Sequence, residues 1–262
     1  EAIMNPTLEM LNHRRSLRPY SDQPVTPDEK AAILQAAFRA PTAGAMQLYT
    51  IIEVADQALK ERLVDTCDHQ PFIAKAPLVL LFLADYQRWW DLYGYAGAPE
   101  RALALGRPTR PPQVGDMLLA CCDALIAAQT AVVAAESLGI GSCYIGDIME
   151  NYEIHREMFD LPQYVLPIAM LCFGHPVSDR PAANLSPRFP PEYIVHTDRY
   201  QRLQASDVEP LERPWVERIQ ARGGSFFEGA ENFGQSGYLR KFIAEFSFEM
   251  SRSAAAMLKN WE

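Results

Sequence analysis

The 262-residue chain is 48% hydrophobic and 22% charged, enough to bury a core as one large domain or two small ones. Its net charge of −9 excludes the basic face that nucleic-acid binders use to displace counterions, and equally a polybasic membrane anchor. Five cysteines without C-x-x-C spacing and five scattered histidines predict neither a disulfide framework nor a zinc site, and a reducing cytoplasm is expected.

The opening "EAIMNPTLEM" lacks the charged start and apolar run of a signal peptide. Residues 6–14 read as a short helix that ends in "HRRSLRPY" (13–20), where three arginines crowd into an acidic chain. Next comes "VTPDEKAAILQAAFRAP", with Thr26 as N-cap, Pro27 at the first helical position, Glu29 closing a capping box and Pro41 ending the helix. Residues 49–54 and 76–85 are strand-like, and the second run, "APLVLLFLAD", is apolar on both faces, as in a central strand covered on both sides. A helical period links them. Residues 86–115 break the rhythm with "QRWWDLYGYAG" and "GRPTRPPQVG", and are expected to form an irregular excursion or lid.

A long helix is expected from about Asp116 to Leu138, with Gly139 as its C-cap. Its apolar stretch, 117–135, contains Asp123 and Gln129, so a buried helix is expected there in preference to a membrane span. A short helix near 151–159 and a strand at 167–176 follow. Prolines and polar residues then dominate until a last amphipathic helix near 238–261, marked by Leu239, Phe242, Phe246, Met250, Met257 and Trp261.

Three segments carry candidate chemistry. The arginine cluster fits either favourable charges at a helix C-terminus or a socket for an anion, since a phosphate relieves the repulsion among crowded guanidiniums. The small-residue loop "APTAGAMQLYT" offers Thr42 and Gln47 and lets a flat ligand approach the backbone. The run "ESLGIGSCYIGDI" (136–148) holds Gly139, Gly141 and Gly146, but it closes a helix where a dinucleotide fingerprint opens one, so it is expected to be a glycine-rich turn exposing backbone N–H groups. No G-x-S-x-G elbow or Walker A sequence is present.

Taken in order, "RRSLRPY", "APTAGAMQ", "APLVLLFLAD", "AAESLGIGSCYIGDI", "CFGHP" and "SPRFP" resemble the nitroreductase family of FMN enzymes, most of all its oxygen-insensitive NAD(P)H nitroreductase and flavin reductase branch, over residues 7–203. The resemblance implies an α+β fold: a three-layer α/β/α sandwich with a mixed, largely antiparallel sheet, homodimeric around the long helix, with FMN at the subunit interface. It implies an FMN-binding core over 1–203, leaving a C-terminal extension over 204–262; the amphipathic pattern of its last helix is expected to pack on a partner subunit, with packing on its own domain equally open on pattern alone. It also implies ping-pong transfer of hydride from NADH or NADPH through the flavin to a nitroaromatic, quinone or flavin acceptor. Carried over by position, Arg14, Arg15, Ser16 and Arg18 would hold the phosphate end of FMN, joined by Arg188 of "SPRFP". Thr42 and Gln47 would line the ribityl and ring side, and Gln70 would contact the ring. Tyr144, Ile145, Gly146 and Asp147 would lie along the isoalloxazine, with the backbone of Gly146 near N5. No protein nucleophile and no metal are implied.

Three departures stand out against the branch. Ser186 replaces a usual lysine, and Asp147 stands where a second glycine is common. The loop 223–237 has Glu228 and Glu231 but none of the arginines that hold the NADPH 2′-phosphate, so NADPH preference is expected to be lost. Two other readings fit the same residues: a family member with a dedicated dehalogenating or dehydrogenating substrate, and a flavin carrier with little turnover.

Overall fold

The computed structural model describes residues 3–178 and 185–262. Residues 1–2 and 179–184 lie outside the described residues, the latter within the stretch expected to be irregular. The chain forms two compact units, one of residues 1–180 with 249–262, the other of residues 181–248.

In the first unit, helix α1 (Pro6–His13) is capped by the Asn5 side chain, and α2 (Pro27–Phe38) carries the full Thr26–Glu29 capping box. Strands β1 (Tyr49–Glu53), β2 (Leu78–Asp85), β3 (Gly141–Ile145) and β4 (Val165–Gly174) make one sheet in the order β1-β2-β4-β3, every neighbouring pair antiparallel. Between β1 and β2 lie α3 (Gln57–Thr66) and the single turn α4 (Phe72–Lys75). The 24-residue α7 (Val114–Ser137) precedes β3, and α8 (Tyr152–Met158) precedes β4.

Alternation along β2 explains the layering. Leu78, Leu80, Phe82 and Ala84 point to one face, where they meet Ile33 and Ala37 of α2 and the alanine stripe of α7 (Ala120, Ala124, Ala127, Ala128, Ala131). Val79, Leu81 and Leu83 point to the other, against Leu63 of α3, Ile73 of α4 and Cys143, Met170 and Cys172 of the sheet. Small side chains on α7 let a long helix lie close to the sheet, giving an α/β/α sandwich. By length and composition α7 would also pass as a membrane span, yet its alanine face is buried on the sheet. Leu118, Leu119, Leu125 and Ile126 are exposed on its far side.

Four sequence expectations need correction. Residues 86–115 are not an irregular excursion throughout: α5 (Gln87–Tyr95) and α6 (Ala98–Ala104) occupy much of it, separated by left-handed Gly97. Trp89 and Tyr93, one helical turn apart, pack with ring centroids at 5.5 Å, so the aromatic run is helical packing. The glycine-rich run after α7 is not simply a turn, because residues 141–145 pair with β4 as an edge strand. In the second unit α9 (Val208–Ala221) forms where only polar connection was expected. The short α10 (Phe233–Gly237) and a π-turn precede α11 (Glu245–Trp261), so the last helix starts later than the apolar pattern suggested. Its end returns to the first unit's core: Trp261 is fully buried, stacks edge-on with Tyr164 and donates to the Gln113 carbonyl at 3.1 Å.

Candidate flavin site

The arginine segment is stitched to the free edge of β3. After α1 ends, Ser16 bridges Ser142, the Leu17 N–H donates to the Ser142 carbonyl at 2.8 Å, and Tyr20 bridges Pro176. Gly174 makes this possible: a Cβ there would sit 2.6 Å from the Tyr20 ring and 2.9 Å from Pro77. The "CFGHP" motif is therefore what admits the segment carrying the arginines.

One nitrogen of Arg14, Nη1, is buried with no hydrogen-bond partner, as is the Ser142 hydroxyl. Leaving a buried charged donor unsatisfied costs ~1–3 kcal/mol or more. A phosphate accepts from both kinds of group, so the residues present fit the anionic end of FMN. Arg18 lies over the Phe72 ring at 5.7 Å, a cation–π contact on the same flank. The Tyr144 hydroxyl donates to Gln129 of α7 at 3.3 Å, and burial pushes its phenol up to about 12. The Ile145 side chain is buried in the sheet's second core, leaving its backbone to serve a ligand. Gly146 and Asp147 open a 3-10 turn, and Gln70 Nε2 donates to Asp147 Oδ2 at 3.0 Å. Glu150, buried just beyond, has a carboxyl raised to about 7 by burial first and then by Asp147, Asp68 and Glu249.

Thr42 and Gln47 belong to a second cluster. Asp123 of α7 is 2% exposed and accepts from the Ala43 N–H at 2.9 Å and the Leu48 N–H at 3.0 Å, clamping both ends of the loop. Inside it the Gln47 N–H donates to Thr42 Oγ1, Trp89 donates to the Met46 carbonyl and Arg88 to the Gln47 carbonyl. Gly44, Ala45 and Gln47 all have positive φ, which strains the backbone at the two non-glycine residues, held there by these contacts.

The two clusters do not meet within one chain. β1 and β3 are opposite edges, three strand spacings or about 14 Å apart. Along the strands, Tyr49 is level with Leu166 and Ser142 with Phe173, a further seven residues, or roughly 23 Å. Thr42 and Gln47 thus sit at the corner diagonally opposite the arginines. Arg188 lies in the second unit, its guanidinium turned onto the Ser186 and Pro187 carbonyls. Asp123, Gln129 and Ser142 were not among the expected site residues. The signal for Asp123 was its charge in an alanine-rich helix.

Among the described residues no group of three potential metal ligands exists. Fold and site together define a protein built to grip an anionic group at a sheet edge, with a second polar loop presented at the far corner. The sequence model of the nitroreductase family matches residues 11–175, and the chain belongs to that family. It is 35% identical over 222 residues to the oxygen-insensitive NADPH nitroreductase of Salmonella typhimurium, covering 85% of this chain and 86% of that one. It is likewise 35% identical over 201 residues to the FMN reductase [NAD(P)H] of Bacillus subtilis, covering 75% of each. The solved structure of NfrA2 from B. megaterium superposes with a TM-score of 0.79 at 29% identity, covering 98% of both chains.

Proposed function

We propose that this chain is an FMN-dependent NAD(P)H oxidoreductase that reduces nitroaromatic, quinone or flavin acceptors by a ping-pong mechanism, as a cytoplasmic homodimer. The observation that carries the reading is the buried, partnerless Arg14 nitrogen beside the Ser16–Ser142 bridge, in a chain of this family. When bound, FMN supplies the hydride-accepting and electron-donating chemistry. Arg14, Arg15, Ser16 and Arg18 neutralise and orient its phosphate end. The backbone at Gly146 and the amide of Gln70 orient the ring, and the Tyr144 phenol, tied to Gln129, flanks it. No side chain needs to act as nucleophile.

The exposed row Leu118, Cys122, Leu125 and Ile126 on α7 supports a twofold pairing of these helices. Such pairing brings the Thr42–Gln47 corner of one subunit to the arginine corner of the other. The flavin-binding core includes residues 249–262, whose Trp261 packs beside Tyr164 and Gln113 of the same chain, and the part of the extension left to serve the donor lies before them. Its 223–237 segment, bearing Glu228 and Glu231 and no arginine, repels a 2′-phosphate, so NADH is at least as good a donor as NADPH.

The test begins with colour. Purified protein should be yellow or take up FMN, and anaerobic NADH or NADPH should bleach it; stopped-flow rates then rank the two donors. A preparation that FMN cannot reconstitute refutes the reading, and a yellow protein that neither nucleotide bleaches is a carrier. A strong NADPH preference refutes the donor assignment alone.

A further inference from the structure

Gln70, assigned to the flavin ring above, is held by two hydrogen bonds. Its Nε2 donates at 3.0 Å to the Cys67 carbonyl, which ends α3, and at 3.0 Å to Asp147 Oδ2. Both partners only accept, so the amide has one orientation: its two hydrogens are used and Oε1 is what remains to face a ligand. The approach to Gln70 is also fixed, since Asp68 and His69 are both left-handed (φ 57° and 50°) and leave the chain little freedom there. On the other side Asp147 is held by the turn that follows β3, immediately after Gly146. The contact joins residues 77 positions apart and exists only because position 147 is an aspartate. A glycine there has no side-chain acceptor to offer.

Carboxylates gather at this spot: Asp147, Asp68 and Glu249 all act on Glu150. Arg18 and Arg14 act with Asp147 on Cys143, and Arg18 rests over the Phe72 ring, but neither guanidinium bonds the Asp147 carboxylate. The Gly146–Asp147 end of the site therefore combines a fixed carbonyl acceptor with a carboxylate whose bonded side-chain donor, Gln70 Nε2, is uncharged and so does not neutralise it.

We propose that Asp147 is a specificity-determining residue that selects electron acceptors by charge: it locks Gln70 as an acceptor and places a carboxylate at the ring end, so neutral and cationic acceptors are favoured over carboxylated ones and the flavin potential is held down. This inference rests on the flavin assignment above. A fixed negative charge disfavours both an anionic acceptor and the added electron density of a reduced flavin, and a desolvated site transmits that charge more strongly than water does.

The experiment compares 4-nitrobenzamide with 4-nitrobenzoate, near-identical in shape and differing by one charge, under saturating donor. The parent protein should favour the amide in kcat/KM by about tenfold, less at high salt, as expected for one charge pair at close range. Asp147→Asn should bring the ratio towards one. Asp147→Glu, which keeps the charge, should retain the preference. Spectroelectrochemistry of the same proteins gives a readout independent of turnover. Asp147→Asn should raise the FMN midpoint potential, by about 30 mV if the two-electron equilibrium changes tenfold. A parent that shows no preference between the two acceptors overturns the proposal without any variant. So does an Asp147→Asn protein whose ratio or potential equals the parent's. Failure to bind FMN is instead a failure of the flavin assignment, and failure to be bleached by either nucleotide is a failure of the reductase reading; both register before acceptors are added.

Discussion

Replacing Asp123 by alanine tests how the loop carrying Thr42 and Gln47 is held. The carboxylate is buried and each oxygen accepts one backbone N–H, from Ala43 and from fully buried Leu48. Truncation leaves both donors orphaned, at ~1–3 kcal/mol each, for a total of about 2–6 kcal/mol. The left-handed residues Ala45 and Gln47 hold a further ~1 kcal/mol or more of strain that the clamp maintains, and its release lets the loop relax to another shape. The expected outcome of urea unfolding at constant slope is a midpoint shift equivalent to about 2–6 kcal/mol. Asp123→Asn should lose about half as much, since one oxygen survives while its amide group meets an N–H. Flavin affinity, measured by fluorescence quenching, should fall in both. An Asp123→Ala protein within 0.5 kcal/mol of the parent would refute the clamp.

Arg14→Ala should weaken FMN binding by about ten- to a hundredfold, the value of a charge-assisted contact, with little change in unfolding midpoint; an unchanged dissociation constant makes Arg14 a helix-end residue only. Glu150 is raised from its ordinary value to about 7 by burial and by Asp147, so the folded state keeps a proton that the unfolded chain releases. Stability tied to this group is present below its unfolded pKa and is lost as pH rises through 7. Glu150→Gln should therefore stabilise the protein above pH 7, by on the order of 1 kcal/mol, and change little near pH 4. Leu125→Glu, on the exposed face of α7, should yield monomers in analytical ultracentrifugation and lose flavin with them.

Much of the fold was legible because local pattern determines it. Thr26, Pro27 and Glu29 form the cap their spacing announces, and the unbroken apolar run of β2 is buried on both faces. β3 was hidden because its alternation is short and glycine-flanked, and pairing with β4, not propensity, makes it a strand. The aromatic stretch 87–95 was hidden for a related reason: Trp89, Trp90 and Tyr93 are wide enough to cover a helix face without a simple apolar stripe. The arginines, Ser16 and Tyr144 were legible as residue types, and the structure does gather Ser16 with β3. What no local pattern reveals is sheet order, so the separation of Thr42 from Arg14 appears only once β1 and β3 are seen as opposite edges.

That diagonal placement has a consequence for mixed subunits. A chain with Arg14→Ala is damaged at the β3 corner and one with Asp123→Ala at the β1 corner. In the proposed twofold pair of the two, one site collects both lesions and the other collects none. Reassorting equal amounts makes about half of the pairs mixed, so about a quarter of all sites are restored. Two flavin-poor preparations should thus turn yellow when combined, a complementation that a chain building its site alone cannot show.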